Sequence, residues 1–367
     1  MRIYLDNNAT TAIHPDVLRA LESSLRDVYG NASSVHREGQ SARRAIESAR
    51  ESVARLIGAT ARELVFTSGG TESNNAAIFG AVPRDGRFHI VTSAIEHPSV
   101  AEAVRELERR GHDVTWIAPS RDGAIAASAV IEALRDDTKL VTVMAANNET
   151  GVLQPVTEIG AATRARAIHF HVDGVQAAGK IALAVEAIGC DTLSISAHKM
   201  HAPKGIGALY VRRGTNMSTH LFGGAQERRR RAGTENVPLA VAFGVAASLP
   251  PAATEIAALR DFFESQLSAV TINGRDVPRL PNTSNVTFHG ADGEGIVIGL
   301  DLSGIAASTG SACSSGRIEP SPVLLAMGLT PEEAKATVRF SLSRFTTKAE
   351  LERTVSVLKD LVPRAKA

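Results

Sequence analysis

The chain has 367 residues, 44% hydrophobic and 22% charged, which is the composition of an ordinary globular protein with a sizeable core. Lysine and arginine total 40 against 39 acidic residues, so net charge gives no reason to expect direct binding to nucleic acid or to an anionic membrane. The first residues, MRIYLDNNATT, lack the apolar core of a signal peptide, and no uncharged apolar run reaches the roughly 18 residues of a membrane span.

Helical and extended patterns alternate from about residue 40 to residue 215. SARRAIESARESVARLIGA has apolar residues at helical spacing, and ELVFTSGG is typical of a buried strand that enters a turn. Six more short apolar runs follow, several of them separated by helical stretches: FHIVTSA, DVTWIAP, KLVTVMAAN, AIHFHVD, DTLSISA and GALYVRR. This alternation predicts an α/β fold with a mostly parallel sheet, in which ligands bind beyond the carboxyl ends of the strands.

The pattern changes after about residue 250. SLPPAATE is typical of a hinge, a helical stretch EIAALRDFFESQLSAV follows, and TSNVTFHG and TVRFSLSRF indicate short strands. We therefore predict a large domain over residues 15–250 and a smaller α+β domain formed by residues 1–14 and 251–367.

The segment FTSGGTESNN indicates a strand, a glycine turn and a helix start. Gly69 and Gly70 would let a ligand approach the backbone closely, and helix N–H groups together with Thr71 could bind a phosphate. A strand–helix turn capped by a hydroxyl is the alternative, and this segment alone leaves both open.

The segment HVDGVQAAGKI invites two further interpretations. Gly174, Gly179 and Lys180 fit the P-loop spacing, but the next residue is Ile181 where magnesium binding needs Ser or Thr, which argues against a nucleotide site. Asp173 and two histidines, His169 and His171, alternate onto one strand face and could contribute to a zinc site. No further clustered ligand accompanies them, so we expect no metal.

Three polar positions follow other strands. Lys199 lies between an apolar strand and a Pro-Gly loop, beside His198, and suits a lysine that forms a Schiff base, although a lysine that extends to solvent is the alternative. His97 in AIEHPSV and the pair Asn147 and Asn148 in AANNETG could equally be hydrogen-bonded loop residues. Their common position at strand ends favours a site.

The two cysteines have different surroundings. Cys313 lies in GIAASTGSACSSGR, a small, polar composition that predicts an exposed mobile loop and favours a reactive thiol. Cys190 precedes an apolar strand and is predicted to be a core residue. Two cysteines provide no disulfide framework, so we predict a cytoplasmic location, where thiols stay reduced.

Four consecutive arginines, Arg228 to Arg231, could form a nucleic-acid patch. Because the whole chain is near neutral and no aromatic residues interleave with them, a solvated or interface loop is the preferred interpretation.

Taken together, these segments resemble the pyridoxal-phosphate-dependent cysteine desulfurases, the NifS/IscS-like branch of the class V aminotransferase family. The matching blocks run in family order from residue 4 to about residue 347: YLDNNATT, GNASSVH, FTSGGTESNN, EHPSV, NNETG, HVDGVQAAGK, SISAHKMHAPKGIGALYVRRG, GTENV, LPNTSNVTF, STGSACSSG and VRFSLSRFTT. The resemblance implies a fold-type I PLP-dependent transferase, with a mostly parallel seven-stranded sheet in the large domain and a smaller α+β domain. It also implies a homodimer with its sites at the subunit interface.

The resemblance implies a role for each matching residue. Lys199 would attach pyridoxal 5'-phosphate covalently, His97 would stack on its ring and take part in proton transfers, Asp173 would pair with the ring nitrogen, and Gln176 would bind the phenolic oxygen. The remaining cofactor-binding residues would be Gly70, Thr71, Asn148, Ser196, His198 and, from the other subunit, Thr234.

Arg339 and Asn148 would hold the substrate carboxylate, and Cys313 would be the catalytic nucleophile that accepts sulfur. The implied reaction converts L-cysteine into L-alanine and leaves a persulfide on Cys313 for an acceptor protein, such as an iron–sulfur scaffold or a thiolation enzyme. A selenocysteine lyase or an aminotransferase is the alternative within the family, and a sulfur carrier without cofactor is the alternative from another class.

Overall fold

The computed structural model describes residues 2–83, 85–309 and 319–365. Its strands are β1 (Ile3–Tyr4), β2 (Leu64–Thr67), β3 (His89–Ser93), β4 (Asp113–Ile117), β5 (Thr138–Met144), β6 (His169–Asp173), β7 (Thr192–Ser196), β8 (Gly207–Val211), β9 (Thr271–Ile272), β10 (Thr283–Thr287), β11 (Ile305–Ala306) and β12 (Thr337–Ser341). Its α-helices are α1 (Pro15–Asp27), α2 (Arg37–Leu56), α3 (Gly70–Ala81), α4 (Pro98–Arg109), α5 (Ala127–Glu132), α6 (Val156–Ala165), α7 (Val185–Ile188), α8 (Val237–Ala247), α9 (Ala253–Ser265), α10 (Gly293–Leu302), α11 (Pro322–Ala326), α12 (Pro331–Lys335) and α13 (Lys348–Arg364).

The main sheet has seven strands in the order β2-β8-β7-β6-β5-β3-β4. The five strands from β7 to β4 in that order run parallel, whereas β8 is antiparallel to both of its neighbours. Each of the seven apolar runs named above forms one of these strands, so the predicted mostly parallel sheet is confirmed. The strands β2, β3, β7 and β8 are buried along their whole length, because helices cover the sheet. Cys190 is fully buried in this core, as predicted.

A second core lies around a three-stranded antiparallel sheet of order β12-β10-β9. It includes Phe263, Val286, Phe340 and Leu351, and it is separate from the core of the main sheet. Strand β1 pairs in parallel with β11, which places the first residues of the described chain in this second core. The domain boundaries remain a prediction, and the two cores are the observation that motivates it. No helix in the described ranges is both long and apolar enough to cross a membrane.

Candidate active site

A cavity of about 250 Å³ opens where the parallel strands of the main sheet end. Strand β6 ends at Asp173 and β7 ends at Ser196, while α3 and α4 begin beside them. Nine of the predicted site residues line this cavity: Gly70, Thr71, His97, Asn148, Asp173, Gln176, Ser196, His198 and Lys199. The fold therefore collects in one place residues that are up to 129 positions apart in the chain.

Asp173 is buried at the centre of the cavity. Its Oδ2 accepts a hydrogen bond from Nδ2 of Asn74 at 2.8 Å, and its Oδ1 accepts one from the backbone N–H of Val175 at 2.9 Å. Both carboxylate oxygens of Asp173 therefore have a hydrogen-bond donor. Sequence reasoning missed Asn74, because one asparagine on a helix carries no signal until the fold places it against an acid.

His97 caps the N-terminus of α4. Its Nδ1 accepts from the backbone N–H of Ser99 at 3.1 Å and lies 2.8 Å from the Ser99 hydroxyl. Because a backbone N–H can only donate, Nδ1 is the acceptor and the neutral ring carries its proton on Nε2. The ring borders the open cavity, yet the protein atoms around it desolvate it and lower its pKa, an effect that Asp173 opposes and Lys199 reinforces.

The end of the cavity formed by α3 provides hydrogen-bond donors. Gly70 begins this helix, whose first N–H groups have no partner within the helix. The hydroxyl of Ser196 is buried and has no hydrogen-bond partner. A Cβ atom on Gly70 would lie 2.8 Å from a methyl group of Val175, so only glycine keeps this space open. Burial lowers the pKa of the His198 imidazole to about 4, with help from Lys199, so this ring is neutral at pH 7.

Lys199 lies on the opposite side of the cavity. Its Nζ donates to the backbone carbonyl of Asn8 and to that of Ala9, the latter at 2.9 Å. Desolvation, reinforced by the charge of Arg339, lowers the Lys199 pKa to about 8, although Asp173 acts in the other direction. A tenth of the amine is therefore nucleophilic at pH 7, to order of magnitude.

Arg339 is buried on β12 and does not line the cavity directly. Its Nη1 donates to the Asn148 carbonyl at 3.0 Å, and its Nη2 donates to Oδ1 of Asp6 at 2.8 Å. Its Nε is buried without a partner. The structure thus joins Arg339 to the cavity through Asn148, and sequence reasoning missed the contribution of Asp6.

Thr234, like Arg339, is absent from the cavity lining, and its side chain is exposed. Cys313 lies outside the described residues.

The arginine segment takes part in the packing of this chain. Glu227, next to Arg228–Arg231, is buried and accepts two hydrogen bonds from Arg50, at 2.6 and 2.9 Å. Arg231 donates to Glu72 in the first turn of α3 at 2.8 Å. Arg231 therefore holds the start of α3, which lines the cavity, through the Glu72 carboxylate. The sequence did not indicate this contact.

The histidines of β6 are hydrogen-bonded to hydroxyl groups of neighbouring strands. His169 bonds the Thr192 hydroxyl at 3.0 Å, and His171 bonds the hydroxyls of Thr142 and Ser194 at 2.8 and 3.0 Å. Burial lowers the His171 pKa to about 3. Within the described parts of the chain, no group of three or more His, Cys, Asp or Glu side chains could hold a metal ion.

The cavity fits pyridoxal 5'-phosphate. The buried Ser196 hydroxyl without a partner, the helix start at Gly70 and the space that a side chain at Gly70 would fill provide for an anionic phosphate. Elsewhere in the cavity, Lys199, with its lowered pKa, suits the aldehyde of the cofactor. The buried carboxylate of Asp173 suits a protonated ring nitrogen.

Comparison with known proteins gives consistent results. The chain matches the aminotransferase class-V family over residues 3–354. It is 48% identical to a cysteine desulfurase of Nostoc sp., covering 100% of this chain and 94% of that one. Among solved structures, a NifS-like protein superposes with a TM-score of 0.91 at 33% identity, covering 99% of this chain and 100% of that one. The structure of SspA in complex with cysteine superposes with a TM-score of 0.86 at 36% identity, covering 95% and 100%. The chain therefore belongs to the class-V aminotransferase family of pyridoxal-phosphate-dependent enzymes, in its NifS/IscS-like cysteine desulfurase branch.

Proposed function

We propose that this protein is a cysteine desulfurase that takes sulfur from L-cysteine, releases L-alanine and holds the sulfur as a persulfide on Cys313. The observation that carries the proposal is the Lys199 amine, with its lowered pKa, in one cavity with the buried Asp173 carboxylate and the unpartnered Ser196 hydroxyl.

The residues that would hold the cofactor divide into two groups. Asp173, held in place by hydrogen bonds from Asn74 and from a backbone N–H, would bind the ring nitrogen, and His97 would stack on the ring. The phosphate would be bound by Gly70, Thr71, Ser196 and His198, and the phenolic oxygen by Gln176. When bound, pyridoxal phosphate supplies an electron sink for bonds at the substrate Cα.

Lys199 would attach the cofactor and later move protons at the substrate. An amine with a pKa of about 8 can give up and regain a proton near neutral pH, which a lysine of ordinary pKa does poorly. His97 has an N–H at Nε2 and Nδ1 bonded to Ser99, so its ring is held in one orientation for proton transfer.

The substrate carboxylate would be held at Arg339 and Asn148. A guanidinium holds a carboxylate through two parallel N–H donors, a geometry that an ammonium cannot reproduce. Cys313 would then attack the substrate sulfur as a thiolate: the S–S bond forms, the substrate Cβ–S bond breaks, and Cβ gains a proton. L-cysteine and one thiol give L-alanine and one persulfide, so atoms and electrons balance without an external oxidant.

A homodimer would complete the site, with Thr234 contributing to the phosphate site of the partner subunit. Large apolar side chains exposed in the single chain support this part of the proposal: Tyr29 is 77% exposed, Val35 87% and Phe222 74%. The sulfur acceptor would be a protein with its own nucleophilic thiol.

Cys313→Ala tests the proposal, with Cys190→Ala as the matched control, because Cys190 is buried in the core of the main sheet. Cys313→Ala should lose sulfide release from L-cysteine in the presence of a reductant while its bound cofactor absorbs as in the wild type. Cys190→Ala should retain sulfide release. Undiminished release from Cys313→Ala would reject the persulfide role, and a protein that never binds pyridoxal phosphate would reject the proposed function altogether.

A further inference from the structure

Lys180 is a second lysine near the reacting amine to which the chemistry above gives no role. It follows β6 in the turn that begins at Gly174. Together with Lys199 it lines a separate cavity of about 360 Å³, whose lining does not include Asp173. Lys199 thus borders both cavities.

The Lys180 amine has two acceptors, and both are uncharged amide oxygens. Its Nζ donates to Oε1 of Gln176 at 2.9 Å and to Oδ1 of Asn8 at 3.0 Å. No carboxylate among the described residues forms an ion pair with it. Amide oxygens accept hydrogen bonds from an amine in either protonation state, so these two contacts fix the position of Nζ.

Asn8 connects Lys180 to the reacting amine. It is 1% exposed, and its backbone carbonyl accepts from Lys199 and, at 3.0 Å, from Nε2 of Gln176. Its side-chain Nδ2 donates to the carbonyl of Asn148 at 3.2 Å. Asn8 therefore contacts three residues of the proposed site: Lys199, Gln176 and Asn148.

Positive charge surrounds Lys180 on several elements. Desolvation lowers its pKa well below the ordinary value, and the charges of Lys199 and Arg339 lower it further. The other titratable or charged groups near these two lysines are Asp6, Asp173, His198, His201, Lys204 and Arg344. Asp6 forms its ion pair with Arg339, and Asp173 accepts from the amide of Asn74, whereas the acceptors of Lys180 are the amide oxygens of Gln176 and Asn8.

We propose that Lys180 is a positioning residue of the active site: its ε-amine fixes the side-chain amides of Asn8 and Gln176, and through Asn8 it fixes the ε-amine of Lys199. The inference rests on the proposed attachment of the cofactor to Lys199.

The first test measures the rate at which the full-length chain, stripped of cofactor, captures pyridoxal phosphate covalently between pH 6 and pH 10. Lys180→Met should slow capture about tenfold, the effect of roughly 1.4 kcal/mol of lost hydrogen bonding. Lys180→Gln keeps N–H donors for the two amide oxygens, so it should restore part of the lost rate, which a merely structural role would not predict. Lys204→Met, which removes an exposed lysine, is the control and should leave the rate unchanged.

Two outcomes overturn the inference. If Lys180→Met captures the cofactor at the wild-type rate, Lys180 does not position Lys199. If Lys180→Gln is as slow as Lys180→Met, the hydrogen bonds to the two amides are not the cause. Should Lys180→Met fail to unfold cooperatively, Lys180→Ala replaces it with the same expected rate.

A second measurement does not depend on the cofactor. Competitive acetylation of the stripped protein, read by mass spectrometry, gives the pKa of each amine. A Lys180 pKa clearly below the ordinary lysine value of about 10.4 supports a desolvated amine held by the two amides, and an ordinary value overturns the inference. A wild-type chain that captures no pyridoxal phosphate would overturn the proposed function, and acetylation would still report the surroundings of Lys180.

Discussion

Replacing Arg339 by lysine tests whether this buried guanidinium binds substrate or only joins the two cores. The Asn148 carbonyl and the Asp6 carboxylate accept from different nitrogens of Arg339, at 3.0 and 2.8 Å. The single nitrogen of a lysine cannot occupy both positions, so at least one hydrogen bond to a charged group is lost. Such a bond contributes about 1.5–3 kcal/mol, which corresponds to a factor of roughly 10–150.

Arg279→Lys is the matched control. Arg279 is buried against Glu264 in the second core, where its Nη1 and Nη2 donate at 2.8 and 3.0 Å. Both variants should therefore lower the free energy of unfolding by about 1.5–3 kcal/mol in urea titrations. Only Arg339→Lys should also raise the KM for L-cysteine, by roughly 10–150-fold, since only Arg339 adjoins the carboxylate site. If Arg339→Lys loses stability as Arg279→Lys does but keeps a KM within about twofold of the wild type, the reasoning on substrate binding is refuted.

Three other predictions follow from individual contacts. Gly70→Ala should weaken pyridoxal phosphate binding about tenfold in absorbance titrations, because its Cβ would lie 2.8 Å from a methyl of Val175; unchanged affinity would contradict the proposed phosphate site. Covalent capture of the cofactor should be half-maximal near pH 8 and rise with pH, because the neutral fraction of the Lys199 amine grows as pH passes its lowered pKa; a midpoint above about pH 10 would show an ordinary lysine. Glu227→Gln should lower the free energy of unfolding by about 3–5 kcal/mol, because it removes the buried carboxylate that binds Arg50 at 2.6 Å and leaves Arg50 with the more exposed Glu47 carboxylate at 3.3 Å; a loss below about 1 kcal/mol in urea titrations would contradict this reasoning.

The sequence predicted the main sheet well because hydrophobic periodicity and the length of the apolar runs identify buried strands directly. All seven runs from ELVFTSGG to GALYVRR form strands of one sheet, and their short polar ends became the cavity lining. The antiparallel direction of β8 was not predicted, because strand direction depends on which neighbours pair in space and leaves no periodic signal in the chain.

The sequence motifs identified the nine site residues that line the cavity, but they did not identify the residues that orient them. Asn8 and Asn74 are ordinary polar residues in sequence, and each becomes important only through a partner far away in the chain. Ser99 becomes important because its backbone N–H and hydroxyl fix the ring of His97. Lys180 was considered only as part of a P-loop spacing, an interpretation that Ile181 argued against. The structure instead gives it two amide acceptors.

The sequence by itself determined the strand and helix pattern, the family and the chemical groups available for the reaction, because these depend on local periodicity and on residue type. Only the tertiary structure decided how those groups behave. The lowered pKa of Lys199, the single orientation of His97 and the hydrogen-bonded carboxylate of Asp173 arise from desolvation and from neighbours contributed by distant segments. Electrostatic energy depends on distance in space and on exclusion of water, and neither is a property of position along the chain.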